Sequence, residues 1–230
     1  MSAELLLLWD IDGTLLQRAS DAHAQALRRA LREVHGDELR IDEVRGVQAA
    51  GRTDGAIARD LLLACGVPAD RVDAGVEAVA RATCRAYEQL CPPDLSGFVA
   101  PGVVELLPEL AADDRFRLSL VTGNFEPVAR LKLDRAGIGR YFPPGQGGFG
   151  TDAEAREELP PIARERAGGW PRERTVVIGD TPNDIACARA DGLRVIAVAT
   201  GPFGAGDLRE ADHVAEGAAD LRPLLTALTR

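Results

Sequence analysis

The chain has 230 residues, 46% of them apolar and 27% charged, with 24 Gly and 14 Pro. That length and balance allow one large domain, or a domain carrying an insertion, and exclude a disordered, collagen-like or disulfide-scaffold chain. The net charge of −9 argues against a general nucleic-acid binder and against a protein of anionic membrane surfaces.

In chain order, Leu5–Trp9 is an unbroken apolar run ended by Asp10, the pattern of a buried parallel strand. The run is too short for a membrane span and lacks the basic start of a signal peptide, so a soluble, cytoplasmic protein is expected. Residues 18–95 then read as helix after helix, over 21–35, 54–65 and 71–90, up to a boundary at Cys91-Pro92-Pro93-Asp94. Strands are expected at 116–121, 175–178 and 193–198. Helices are expected at 102–110, 127–136, 153–167, 185–190 and 218–228, with Gly137 and Gly192 as stops. The alternation predicts an α/β core with a mostly parallel, Rossmann-like sheet at 1–17 and 96–230, and an inserted all-helical cap at 18–95. The four cysteines, Cys65, Cys84, Cys91 and Cys187, form no C-x-x-C pair and read as reduced thiols.

Ligands of an open parallel sheet bind beyond the carboxyl ends of its strands. The polar residues that stop the strands therefore converge: Asp10 and Asp12, Thr122, and Asp180 with Asp184. Asp10-Ile11-Asp12-Gly13-Thr14 puts two carboxylates at a strand end, where a plain strand-to-loop turn is the competing explanation. In Gly179-Asp180-Thr181-Pro182-Asn183-Asp184, Thr181 suits an N-cap, Pro182 position N1, and Asp184 a capping box. Asp180 has no such structural excuse, since an unpaired carboxylate at the end of a buried run is costly. A hard divalent cation resolves the repulsion among such carboxylates. Thr122-Gly123-Asn124 opens a helix whose N–H groups attract phosphate, or is an ordinary cap. Gly145–Gly150 fits G-x-G-x-x-G but follows no buried strand, so it reads as a loop. His23, His35 and His213 are scattered and accompany no Ser or Cys motif, which leaves a serine- or cysteine-type hydrolase without support.

Taken together, LLLLWDIDGTLL at 5–16, LVTGN at 120–124 and VIGDTPND at 177–184 resemble the haloacid dehalogenase-like hydrolase superfamily, over the whole chain and in the order of its motifs. The resemblance implies a phosphatase branch with a helical cap, similar to phosphoglycolate phosphatases. It implies Asp10 as nucleophile, forming an aspartyl-phosphate, and Asp12 as general acid and then base. It implies Mg²⁺ held by Asp10, the backbone carbonyl of Asp12 and Asp180, with Asp184 close by, and Thr122 with the Gly123 amide on phosphate oxygens. The family's lysine, which binds phosphate and pairs with the nucleophile, is missing from its usual Lys-Pro position. That region offers Arg156 instead, and Lys132, the single lysine of the chain, is the expected substitute from the helix after Thr122. Arg52, at a helix start in the cap, and Asn124 are candidate substrate contacts. The expected partner is a small phosphorylated metabolite, with no nucleic acid or membrane. A phosphosugar mutase on the same core and a non-catalytic binding or regulatory protein are the alternatives. The absence of a lysine from the cap speaks against a phosphonatase, which needs one for a Schiff base.

Overall fold

The computed structural model describes residues 4–229. Its sheet has six strands in the order β3-β2-β1-β4-β5-β6, every neighbouring pair parallel. The strands are β1 (Leu5–Trp9), β2 (Phe116–Thr122), β3 (Gly148–Phe149), β4 (Thr175–Gly179), β5 (Arg194–Val198) and β6 (His213–Ala215). β1 is central, with Leu5 opposite Phe116 of β2 and Leu6 opposite Thr175 of β4.

The unbroken apolar run of β1 follows from that position. Successive side chains of a strand point to opposite faces, so a strand covered on both faces has no polar side. Leu5, Leu7 and Trp9 pack with α4 (Val103–Ala111), α5 (Glu126–Arg135) and α8 (Ala218–Leu228), through Leu107, Val128, Leu133 and Leu225. Leu6 and Leu8 face the other way, onto α6 (Leu159–Arg166) and α7 (Pro182–Ala190), through Leu159, Ala163, Ile185 and Ala188.

Between β1 and β2 the chain forms α1 (Asp21–His35), α2 (Asp54–Ala64) and α3 (Ala69–Leu90). These helices share an apolar cluster of their own, built on Leu27, Leu31, Leu62, Val72 and Val79. Thr53 caps α2 by accepting a hydrogen bond from the Ala56 N–H. At α7 the capping box is complete: Thr181 accepts from the Asp184 N–H, and Asp184 accepts from the Thr181 N–H. Pro182 stands at N1, so α7 begins three residues before the expected helix.

Three elements depart from expectation. The helix expected over 153–167 is only Leu159–Arg166, preceded by a short 3₁₀ turn at Arg156–Glu158. Pro160 and Pro161 have no N–H to donate and belong in a first turn, so the α-helix starts at them. Gly148–Phe149, read as a loop, adds a two-residue strand beside β2. His213–Ala215 adds a sixth strand. All four cysteines are free thiols. Among the described residues no helix is long and apolar enough to cross a membrane.

Candidate active site

The carboxyl ends of β1, β2 and β4 and the helices α1 and α2 enclose a cavity of about 880 Å³. Its wall includes Asp10, Asp12, Asp180, Arg156 and Gly123. The turn after β1 depends on Gly13, which has φ +89° and whose missing Cβ would lie 2.1 Å from Asp180 Oδ2. Gly123 is required for another reason. A Cβ there would fall 2.1 Å from the Arg52 carbonyl oxygen, where the loop before α2 presses on the end of β2. The Asp54 N–H donates to the Gly123 carbonyl at 2.8 Å, and the Thr53 hydroxyl donates to the Glu154 carbonyl at 2.6 Å.

Asp10, Asp180 and Asp184 each offer an oxygen, all within 4.8 Å of one another and all buried. Arg156 is the cation among them: its Nη2 lies 3.1 Å from Asp10 Oδ1 and also donates to Asp184 Oδ1. Burial pushes the Asp10 carboxyl up, Arg156 draws it down, and Asp184 and Asp12 push it up again, to about 7. Burial, together with the Asp10 and Asp184 charges, raises Asp180 to about 8. Asp180 Oδ1 accepts from the Thr14 hydroxyl at 3.1 Å, while the buried Oδ2 has no hydrogen-bond partner. An oxygen-only donor set with an orphaned carboxylate oxygen fits a hard divalent cation. Both oxygens of Asp184 are already engaged, by Arg156 and by the capping box, so Asp10 and Asp180 are the two with capacity to spare.

Asp12 lives in a different field. Lys132 Nζ lies 2.8 and 2.6 Å from its two oxygens, and Asn124 Nδ2 donates to Oδ2 at 2.9 Å. Burial raises this carboxyl, but the Lys132 charge and the side-chain hydrogen bonds from Lys132 and Asn124 outweigh it and hold Asp12 below the usual carboxylate range. Lys132 is fully buried, and its remaining contacts are Asn124 Oδ1 at 2.8 Å and His23 Nδ1 at 3.1 Å. An ammonium donates only, so His23 accepts at Nδ1 and carries its proton on Nε2, which donates to Asp54 Oδ2 at 3.0 Å. That oxygen also accepts from the Phe125 N–H at 2.8 Å. A chain of buried polar groups thus runs from α2 through α1 and α5 to Asp12.

Four sequence expectations are altered. Lys132 does not pair with Asp10 or line the cavity; its three donors are consumed by Asp12, Asn124 and His23, and Arg156 makes the contact with Asp10. Asn124, expected on the substrate, braces Asp12 and Lys132. Thr122 is buried at the end of β2 and does not itself line the cavity, although Gly123 does. Arg52 lines the cavity, but its guanidinium is turned onto Asp60 at 2.6 Å and onto the Gln48 carbonyl. Two residues escaped sequence reading. His23 and Asp54 carry no motif; the one available signal was a histidine on the buried face of an amphipathic helix, which is ordinarily a core residue.

A parallel sheet with acidic strand ends under an inserted set of helices defines an α/β enzyme of the doubly wound kind, its site at the carboxyl edge. The chain belongs to the haloacid dehalogenase-like hydrolases, whose family model matches residues 7–189. It is similar to a phosphoglycolate phosphatase from Rhodospirillum rubrum, 29% identical over 197 residues that cover 85% of this chain and 79% of the relative. In fold it is similar to a hydrolase from Pseudomonas syringae, with a TM-score of 0.70 and 20% identity over 99% of this chain and 100% of the other. It is also similar to a β-phosphoglucomutase from Clostridium difficile, with a TM-score of 0.65 and 14% identity over 99% and 97% of the two chains.

Proposed function

We propose that the chain is a cytoplasmic, Mg²⁺-dependent phosphatase that hydrolyses a small phosphate monoester, phosphoglycolate- or sugar-phosphate-like, through an aspartyl-phosphate on Asp10. In this reading residues 18–95 act as a cap over a core of 1–17 and 96–230. The observation that carries it is the division of two carboxylates only two residues apart. Burial, and after it the neighbouring acids, raise Asp10 against the pull of Arg156, and Asp12 sits on an ammonium that lowers it. Paired titratable groups driven apart by their surroundings mark separate chemical roles.

Asp10 attacks phosphorus, and the bond from phosphorus to the ester oxygen breaks. Asp12 gives that oxygen its proton. Asp12 is ionised at rest, so it takes up this proton as the ester binds, when phosphate charge beside it raises its affinity for protons. Asp12, again a carboxylate, then takes a proton from the water that attacks the phosphoryl group, which frees phosphate and restores Asp10. Lys132, Asn124 and His23 hold Asp12 in place through both steps. The Gly123 amide binds phosphoryl oxygens, and the buried Thr122 hydroxyl, which accepts from the Asn124 N–H, holds the turn that presents it. Asp10, Asp180 and the Asp12 backbone carbonyl would hold Mg²⁺, with Asp184 through water, and the ion would neutralise charge on the phosphoryl oxygens.

The test is phosphate release from a panel of phosphorylated metabolites, with and without Mg²⁺, beside Asp10→Asn. Metal-dependent release from one or a few small esters, lost in the variant, is expected. Isomer interconversion with little free phosphate is the outcome for a phosphosugar mutase. Turnover in Asp10→Asn near that of the parent chain overturns the mechanism, and no turnover of any ester leaves a binding protein.

A further inference from the structure

We infer that the alcohol half of the ester is largely hydrocarbon, a chain or ring seated against the helical insertion; this rests on the phosphate-ester chemistry proposed above and narrows its leaving group. The cavity is chemically two-sided. Its acids stand at the carboxyl ends of β1 and β4, with Arg156 against them. The insertion gives it an apolar part, made by Leu27, Ile41, Val44, Val47, Ile57 and Leu61. Leu27, Ile41 and Leu61 belong to the insertion's own buried cluster, and Val44, Val47 and Ile57 pack against that cluster while still part-exposed. α1 joins the two parts. His23, which braces Asp12 through Lys132, and Leu27 lie one helical turn apart on the same face, so the hydrocarbon surface begins a turn away from the reacting end.

The charged residues of the insertion do not offer a polar subsite. Arg28 lies 3.6 Å from Asp42, Arg45 donates to the Asp42 and Val44 carbonyls, and Arg52 is on Asp60. Arg18 and Ser20, whose side chains have no partner among the described residues, are exposed to water. The hydroxyls of a sugar would therefore be buried against hydrocarbon without partners, which is costly, whereas an apolar chain gains by leaving water. Size points the same way. A cavity of about 880 Å³ is near the top of the range of roughly 300–1,000 Å³ that suits drug-sized ligands, and a two-carbon ester would leave most of it unfilled. Residues 44–49 have no regular secondary structure, so no strand or helix calls for the β-branched Val44 and Val47. An apolar occupant does.

The experiment uses primary alkyl phosphates from ethyl to hexyl. Their leaving alcohols are alike in acidity, so chain length changes contact and not chemistry. The readouts are kcat/KM for the parent chain and affinity, by calorimetry, for Asp10→Asn protein with Mg²⁺. Each added CH₂ is expected to raise kcat/KM about three- to fourfold, roughly 100-fold from ethyl to hexyl. A hexose 6-phosphate, similar in length but hydroxylated, is expected to fall well below hexyl phosphate. Val47→Ser and Ile57→Ser should each lower the hexyl-to-ethyl ratio by about 5- to 10-fold and leave ethyl phosphate turnover unchanged. Val47 lies outside regular structure, so its replacement tests the contact without breaking a helix. A flat or falling series in the parent chain, or an unchanged ratio in both variants, overturns the inference. Failure of the phosphatase reading is a different result: no ester releases phosphate. The calorimetric series then decides, since affinity that rises with chain length upholds the apolar subsite and affinity that stays flat overturns it.

Discussion

Raising the pH of the metal-free protein is expected to weaken it, and Mg²⁺ is expected to cancel that loss. Asp10 and Asp180 titrate at about 7 and about 8 in the fold, against 3.8 in the unfolded chain. Both folded pKa values are raised, so between those limits the native state holds protons that the unfolded chain has lost, and stability falls as pH rises. Each retained proton contributes about 1.4 kcal/mol per pH unit. From pH 5.5 to 7.5 the loss integrates to about 2 kcal/mol for each of the two carboxyls. The total of about 4 kcal/mol corresponds to roughly 10 °C in Tm for a chain of this size. Carboxylates held low, such as Asp12, Asp113 and Asp212, finish titrating below this window. His35, lowered by burial and by Arg71, opposes the trend below the ordinary histidine value. A divalent cation replaces the protons, so its stabilisation grows with pH. The assay is thermal unfolding in chelator and in Mg²⁺ across this window, with Asp180→Asn expected to remove about half of the metal-free slope. A metal-free Tm that stays flat or rises from pH 5.5 to 7.5, or a Mg²⁺ increment equal at both ends, refutes the reasoning.

Asp10→Asn removes one of the crowded carboxylates, so its metal-free form is expected to gain about 2 kcal/mol at pH 7.5 in denaturant unfolding even as phosphate release is lost. Lys132→Met leaves Asp12 facing an uncharged chain and should cost about 3 kcal/mol, read from the urea midpoint. In the same variant the acidic limb of the pH–rate profile should move up, because the charge that lowers Asp12 is gone. Gly123→Ala drives a methyl group into the Arg52 carbonyl and should lower kcat/KM by tenfold or more, with the loop before α2 displaced, as amide hydrogen exchange at Thr53 and Asp54 would report.

The sequence made the frame legible because the frame is periodic. Five consecutive apolar residues can be covered on both faces only in the middle of a parallel sheet, and β1 is there. Strand ends were legible because carboxylates cannot continue a buried run, which placed Asp10, Asp12 and Asp180 at one edge. The short strands were not legible. Gly148–Phe149 pairs over two residues, and a Cβ on Gly148 would lie 2.3 Å from the Leu159 carbonyl oxygen, so its glycine serves close packing that looks like a loop from sequence. The partners of the cations were equally out of reach. Lys132 and Arg156 are 24 positions apart in one acidic neighbourhood, and which of them meets Asp10 depends on the approach of α5 and of the turn before α6. His23 and Asp54 became visible only when α1 and α2 came together over α5.

The central place of β1 also dictates when the molecule can be completed during synthesis. Its two neighbours, β2 and β4, lie more than a hundred residues further along the chain. At a translation rate of 5–20 residues per second, β4 follows β1 from the ribosome by roughly 10–30 s. Leu5–Trp9 is an unpaired, uncharged, wholly apolar run until β2 arrives, and one of its edges stays open until β4 does, the kind of segment that holdase chaperones grip and that seeds aggregates. The contacts among α1, α2 and α3 span far shorter stretches of chain and close earlier. Nascent chains halted before Thr175 should therefore bind chaperones through β1 while the helices that follow it are already protected from proteolysis.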